Sequence, residues 1–264
     1  MQLKLRCTDV EMYYWCPMRF FLSHLEFPTK PSPAAEKGTQ AHKALEIATS
    51  VALGKSSGEE LQQLIAESEY GDWILKIVEV WDAKVRHRIK EVLSYEEHLE
   101  KQVKLPLLDV EVTLTGKADL IARIEGWDGT FVIDYKTSST TPATQSLYTL
   151  QPIWYAYLCS HEVTGVGILS FYGTKNISFQ EAWRPITEKD FRWLECCVQE
   201  VAAYLQRGII HKSYQTCSWC DYKQYCKQLP QPLILENEEH TKQLAQARQL
   251  AGLLVGEESQ QQQD

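Results

Sequence analysis

The chain has 264 residues, 44% hydrophobic, 23% charged and 11% aromatic, an ordinary composition for one large globular domain or a core with a small appendage. No apolar run approaches the roughly 20 residues of a membrane span, and Met1–Val10 lacks the apolar stretch of a signal peptide. A cytoplasmic protein is therefore expected, in which the eight cysteines serve more readily as metal ligands than as disulfides.

The net charge of −8 argues against nucleic acid only in bulk, because screening beyond roughly 8 Å lets a local basic groove persist. From Gln231 onward six acidic residues face only Lys242 and Arg248, so four of the eight net negative charges lie on that tail.

In chain order, residues 1–33 form an aromatic segment, Tyr13-Tyr14-Trp15-Cys16-Pro17, and a linker rich in proline at 28, 31 and 33. Ala34 to about Ser50 reads as a helix. A longer one is expected from about Asp72 to Ser94, where Ile74, Ile77, Val78, Val85 and Ile89 recur at helical spacing. From about Glu100 the period changes to two. Val110, Val112 and Leu114 alternate with Glu111 and Thr113 on a strand that Gly116 should break, and Ala118 to Ile124 should form the next. Asp128-Gly129 predicts a tight hairpin turn, and Phe131-Val132-Ile133 a central, buried strand.

A helix over about Gln145–His161 follows, then strands over about Gly165–Tyr172 and Ile177–Trp183. The next helix, over about Thr187–Gln206, has Thr187 and Asp190 as a capping pair. A tail helix over about Glu238–Leu254 precedes unstructured Gln260–Gln263. The expected fold is a mixed α/β sheet flanked by helices. A core over 34–210 would follow the segment 1–33, and a cysteine segment over 211–230 would precede an acidic tail over 231–264.

The sharpest local pattern is Gly116-Lys117-Ala118-Asp119, then Ile133-Asp134-Tyr135-Lys136 across the hairpin. Asp134 and Lys136, two apart on a strand, point to one face. Two carboxylates on adjacent strands suit a hard cation such as Mg²⁺ or Mn²⁺, which can activate water against a phosphodiester. The ammonium would offset the growing negative charge. An isolated Asp-x-Lys also reads as a strand-end acid with a solvated partner. Here it follows a buried apolar strand and a second Asp.

Gly-x-x-Asp followed by Asp-Tyr-Lys-Thr resembles the core of the PD-(D/E)XK nucleases, especially the RecB-like branch. Gly38-Thr39-Gln40-Ala41-His42 is similar to that branch's upstream helical His, and Gln151-Pro152-Ile153-Trp154-Tyr155 to its downstream Gln-x-x-x-Tyr. The resemblance implies a restriction-endonuclease-like fold in which His42, Asp119, Asp134 and the Tyr135 carbonyl bind the metal. It implies that Lys136 assists the attacking water, and that Gln151 and Tyr155, on one helix face, orient the site or contact the DNA backbone. Glu46, one turn after His42, is a further candidate.

Cys217 and Cys220 form a C-x2-C pair, and Cys226 follows after five residues. Three thiolates so close suit one metal centre, with iron–sulfur and zinc both possible by spacing. A fourth ligand is needed. Cys16, about 200 residues upstream, is the best candidate and Cys7 its rival. Cys16-Pro17-Met18-Arg19-Phe20 is similar to the N-terminal ligand segment of the iron–sulfur subset of RecB-like nucleases, which includes the CRISPR-adaptation and AddB-type nucleases. That resemblance implies a [4Fe–4S] cluster on Cys16, Cys217, Cys220 and Cys226, in a subdomain that joins the two ends of the chain. Cys7 and Cys159 read as small apolar residues, and Cys196 and Cys197 as helical. Tyr13, Tyr14, Trp15 and Trp219 could stack on bases or pack around the cluster.

The expected function is metal-dependent hydrolysis of DNA, as an exonuclease on single strands or ends, in CRISPR adaptation or recombinational repair. The alternatives are a DNA-binding scaffold subunit of a helicase–nuclease or integrase complex, and a nuclease fold used for RNA. No Gly-rich ATP-binding loop occurs, so a helicase or a CRISPR integrase is the expected partner.

Overall fold

The computed structural model describes residues 3–29, 32–140, 149–213 and 217–261. β1 (Leu3–Arg6), α1 (Cys7–Trp15) and α2 (Pro17–His24) are followed by α3 (Pro33–Ala52), α4 (Glu59–Glu67) and α5 (Gly71–Lys84). Then come β2 (Ile89–Leu105), β3 (Val110–Ile124), β4 (Thr130–Ser138), α6 (Leu150–Leu158), β5 (Val163–Tyr172) and β6 (Ser178–Pro185). α7 (Glu188–Arg207), β7 (Ile209–Ile210), the single-turn α8 (Lys223–Cys226), β8 (Leu233–Ile234) and α9 (Glu238–Gln261) complete the order. Among the described residues no helix is long and apolar enough to cross a membrane.

The chain divides into two compact units: Met1–Lys30 with Gln102–Thr113 and Glu195–Asp264, and Pro31–Lys101 with Leu114–Leu194. The second holds a mixed sheet in the order β3-β4-β5-β6, with β2 beside β3. β3/β4 and β5/β6 are antiparallel and β4/β5 parallel. The parallel pair needs a crossover, which the segment containing α6 supplies.

One face of the sheet (Leu120, Ala122, Ile133, Tyr135, Leu169 and Phe171) packs with Ala41, Ala44 and Leu45 of α3 and Ile74, Ile77 and Trp81 of α5. Side chains alternate along a strand, so Asp134 and Lys136 lie on the other face, where α6 contacts β4 and β5. α3 starts where Ser32 Oγ accepts the Ala35 N–H at 3.1 Å, with Pro33 at the first helical position.

In the first unit, Met18, Phe21, Leu22 and Phe27 form a second core with Ile210, Tyr222, Tyr225, Leu229, Leu233 and Ala247. The Met18 N–H donates to the His211 carbonyl at 3.0 Å, which joins α2 to the segment after β7.

Several expected boundaries are corrected. The helix expected over 72–94 stops at Lys84, and Ile89–Ser94 opens β2. Ile89 and Val92 fit a helical row or a strand equally, and pairing with β3 decides between them. α4 was not foreseen. Gly116 does not break its strand: β3 runs unbroken from Val110 to Ile124. The hairpin turn is the longer stretch 125–129, with Gly126 (φ 83°) and Gly129 (φ 88°) left-handed. The helix expected over 145–161 spans Leu150–Leu158, and residues 145–148 lie outside the described part. α9 runs on to Gln261, so Gln260 and Gln261 are helical, as a good helix former allows. Residues 262–263 lie outside the described part.

Candidate active site and cysteine site

Leu120 on β3 lies opposite Ile133 on β4. One residue earlier on β3 and one later on β4 stand Asp119 and Asp134, where the ladder ends. There the Tyr135 N–H donates to Asp119 Oδ2 at 2.7 Å, so a side chain takes the place of the next ladder bond. Tyr135 is anchored on the opposite face, where its hydroxyl accepts the Trp81 Nε1–H at 3.0 Å inside the core. Trp81 and Asp119 thus fix the backbone at 135 from both sides.

Asp134 is 1% exposed, and Lys136 Nζ lies 2.8 Å from its Oδ2. That oxygen is buried, with the Lys136 ammonium as its counter-charge. Burial pushes the Asp134 carboxyl up to about 6, the Lys136 charge opposes that shift and the Asp119 charge adds to it. Lys136 also donates to Gln151 Oε1 at 2.6 Å, and Gln151 Nε2 donates to the Tyr155 hydroxyl at 2.8 Å. Gln151 and Tyr155 stand one turn apart on α6, so the helix presents the pair together.

From α3, His42 Nδ1 comes within 3.5 Å of Asp119 Oδ1. Burial would lower the His42 pKa, but its hydrogen bond to Asp119 and the charges of Asp119 and Asp134 outweigh burial and raise it. All six side chains expected at the site, with the Tyr135 backbone, are thus brought together. Glu46 is instead turned to Lys43, whose Nζ donates to its Oε1 at 3.0 Å.

Gly116 has a direct part in the geometry. A Cβ there would lie 2.7 Å from Tyr155 Cε1, inside any permitted contact, so only glycine lets Tyr155 approach β3. The sequence reading missed one pair: Lys117, two residues before Asp119 on β3, is ion-paired with Glu96 of β2. The period-two relation of Lys117 to Asp119 was readable, but nothing in the local pattern marks Glu96.

Cys16, Cys217, Cys220 and Cys226 line one cavity of about 360 Å³ in the first unit, together with Arg19 and Lys212. Cys7 does not line it, and none of the eight cysteines is in a disulfide. The Ser213 N–H donates to Cys16 Sγ at 3.3 Å, and the Cys217 thiol donates to the Ser213 carbonyl at 3.3 Å. Lys212 Nζ donates to the carbonyls of Cys226 and Leu229, at 2.6 and 2.8 Å. Burial first, then the charges of Cys16, Cys217 and Cys220, push Cys226 up to about 11 while Lys212 opposes them. Tyr13 packs on Tyr204 instead of lining the cavity, and Tyr14 and Trp15 are about half exposed. The Trp219 side chain lies outside the described part.

The family profile described as the PD-(D/E)XK nuclease superfamily matches residues 5–227. The chain belongs to that superfamily. No curated protein matches it. Among solved structures, a candidate exonuclease from Eubacterium rectale matches with a TM-score of 0.54 at 10% identity, over 88% of this chain and 91% of its own. At that identity it speaks for the fold alone. The crystal structure of SSO0001 matches at 15% identity over 84% of each chain, with a TM-score of 0.43.

PD-(D/E)XK enzymes are phosphodiester hydrolases that use Mg²⁺ or Mn²⁺. Among the described residues no three His, Cys, Asp or Glu side chains converge tightly enough to hold a metal ion. His42, Asp119 and Asp134 are instead engaged in ion pairs, the last with Lys136. The donor set nonetheless fits a hard cation. Its side chains are two carboxylates, one of them fully buried, and one imidazole, the ligand types that a hard divalent ion takes.

Proposed function

We propose that this PD-(D/E)XK protein is a divalent-metal-dependent deoxyribonuclease of the RecB-like branch, acting as an exonuclease on single-stranded DNA or DNA ends. The observation that carries the reading is the juxtaposition, on adjacent antiparallel strands, of Asp119 and buried Asp134, with Lys136 on Asp134. In this reading His42, Asp119, Asp134 and the Tyr135 carbonyl hold Mg²⁺ or Mn²⁺. The bound cation supplies Lewis acidity, activating a water and offsetting charge on the scissile phosphate.

The remaining work falls to the protein. Tyr155 fixes the Gln151 amide, the amide oxygen aims Lys136, and the Lys136 ammonium steadies the charge that builds where the water attacks. The Tyr135 N–H holds the Asp119 carboxylate in place. The exonuclease assignment draws on the branch resemblance, and the description of the Eubacterium rectale neighbour agrees with it.

The same reading assigns a [4Fe–4S] cluster to Cys16, Cys217, Cys220 and Cys226. A single zinc draws four thiolates to within roughly 2.3 Å of one point. Here the four cysteines line one cavity of about 360 Å³, and the cluster assignment over zinc rests on the branch resemblance. The Ser213 N–H on Cys16 Sγ is the kind of outer hydrogen bond that such sulfurs accept. Nucleases of this branch act in CRISPR adaptation or recombinational repair, and that resemblance is what suggests a CRISPR integrase or a helicase as partner.

Incubating Asp119→Ala with end-labelled single-stranded DNA and Mg²⁺ or Mn²⁺ tests the activity. Loss of cleavage is expected, and undiminished cleavage rules the site out.

A further inference from the structure

The pair that the site does not absorb is Glu96 with Lys117. β2 lies beside β3, and the two side chains meet across that junction in close contact. The Glu96 side chain is only 14% exposed, whereas that of Lys117 is 44% exposed. Lys117 therefore keeps an open side that Glu96 lacks. Lys117 and Asp119, two apart on β3, share a face. Glu96 feels the Asp119 charge: burial first, then Asp119 and Glu46, raise its pKa against the pull of Lys117.

Two features set this pair apart from an ordinary surface ion pair, which contributes little. Glu96 has φ of 53°, a left-handed conformation that is strained for a non-glycine residue. Its carboxylate is also largely withdrawn from water, which adds to the cost. The arrangement makes chemical sense if the ammonium needs a fixed address. A lysine is a flexible point charge, and a buried carboxylate behind it restricts where that charge can sit.

We propose that Glu96 is a positioning residue that holds the Lys117 ammonium beside Asp119, where it contacts a backbone phosphate of the bound DNA strand next to the one being cleaved. The inference rests on the nuclease reading above and adds a substrate contact to it. Lys136 serves the reacting phosphate, while Lys117 binds a neighbouring one and sets the register of the strand. Its effect belongs mainly to binding.

The test compares wild type, Lys117→Met, Lys117→Arg, Glu96→Gln and the Glu96→Gln/Lys117→Met double variant on a fluorescein-labelled single-stranded oligonucleotide. Steady-state cleavage is measured with Mg²⁺, and binding is measured by anisotropy against salt with Ca²⁺ in place of Mg²⁺. Lys117→Met should raise KM about tenfold with little change in kcat, and lower the salt slope of binding by about one. Lys117→Arg should restore both. Glu96→Gln, which keeps the side chain's shape, should raise KM in the same direction and add nothing in the Lys117→Met background. Unchanged KM and salt slope in Lys117→Met, or a Glu96→Gln effect that persists undiminished in that background, would overturn the proposal. Absence of cleavage by the wild type would defeat the nuclease reading instead, and the salt slope would still report on Lys117.

Discussion

Lys136 is shared between a buried carboxylate and an amide oxygen, and this sharing sets what its removal should do. In Lys136→Met the Asp134 carboxylate stays buried without its counter-charge, so its pKa should rise further and the neutral form should prevail. Cleavage should fall by about 10²–10³-fold while the fold persists, as steady-state kinetics beside a thermal melt would show. Tyr155→Phe removes only the hydroxyl that accepts from Gln151. It should cost less than Lys136→Met and add little to Gln151→Ala, because the two residues act in one chain of hydrogen bonds. Retained activity in Lys136→Met would contradict the role given to the ammonium. Much of this geometry was legible in the sequence. Period two put Asp134 and Lys136 on one face, and a four-residue spacing put Gln151 with Tyr155. Glu96 was not legible, because its place depends on a left-handed backbone and on how β2 sits against β3.

The elements around the site are held by contacts that can be broken one at a time. Gly116→Ala places a methyl group 2.7 Å from Tyr155 Cε1, so either β3 or α6 must shift. Overpacking of this kind costs about 1–3 kcal/mol, readable as a lower urea midpoint. The displaced Tyr155 should release Gln151 and lower kcat in parallel. A variant with full stability and activity would show that the glycine is incidental. At the start of α7, Asp190 Oδ2 accepts from the Thr187 N–H and hydroxyl at 2.8 and 2.9 Å, and Oδ1 pairs with Arg184 at 2.9 Å. Burial would raise the Asp190 pKa, but Arg184 and Thr187 hold it below its ordinary value. Its contribution is therefore present above the ordinary pKa of about 3.9 and lost as pH falls through the lower folded value. Asp190→Ala should cost about 1 kcal/mol at neutral pH, and the gap to wild type should narrow in acid. This cap was readable in the sequence, whereas the ends of α5 and the unbroken β3 were not. Ile89 and Val92 suit two periodicities, and a glycine within a strand signals close approach as readily as a break.

Across the whole chain, the first unit gathers Cys16 and the three cysteines after residue 216 around one cavity, although about 200 residues separate them. Closing so long a loop costs chain entropy that the thiolate–metal bonds of the proposed cluster would offset. Cys220→Ala should therefore yield a colourless, iron-poor and poorly soluble protein, measured by iron and sulfide content and by soluble yield. A soluble, iron-free variant with full activity would separate the cysteines from both fold and function. The spacing of the four cysteines was visible in the sequence. Their common cavity, and Lys212 tying Cys226 and Leu229 to the segment beside Cys16, required the folded chain.

In the proposed site one divalent ion sits among His42, Asp119, Asp134 and the Tyr135 carbonyl. Crystals soaked in Mn²⁺ and measured at the manganese edge test it most directly. A single strong anomalous peak within bonding distance of both carboxylates, absent in Asp134→Ala, is the predicted result. Manganese bound elsewhere, or no peak there in a protein that still cleaves DNA, would contradict it.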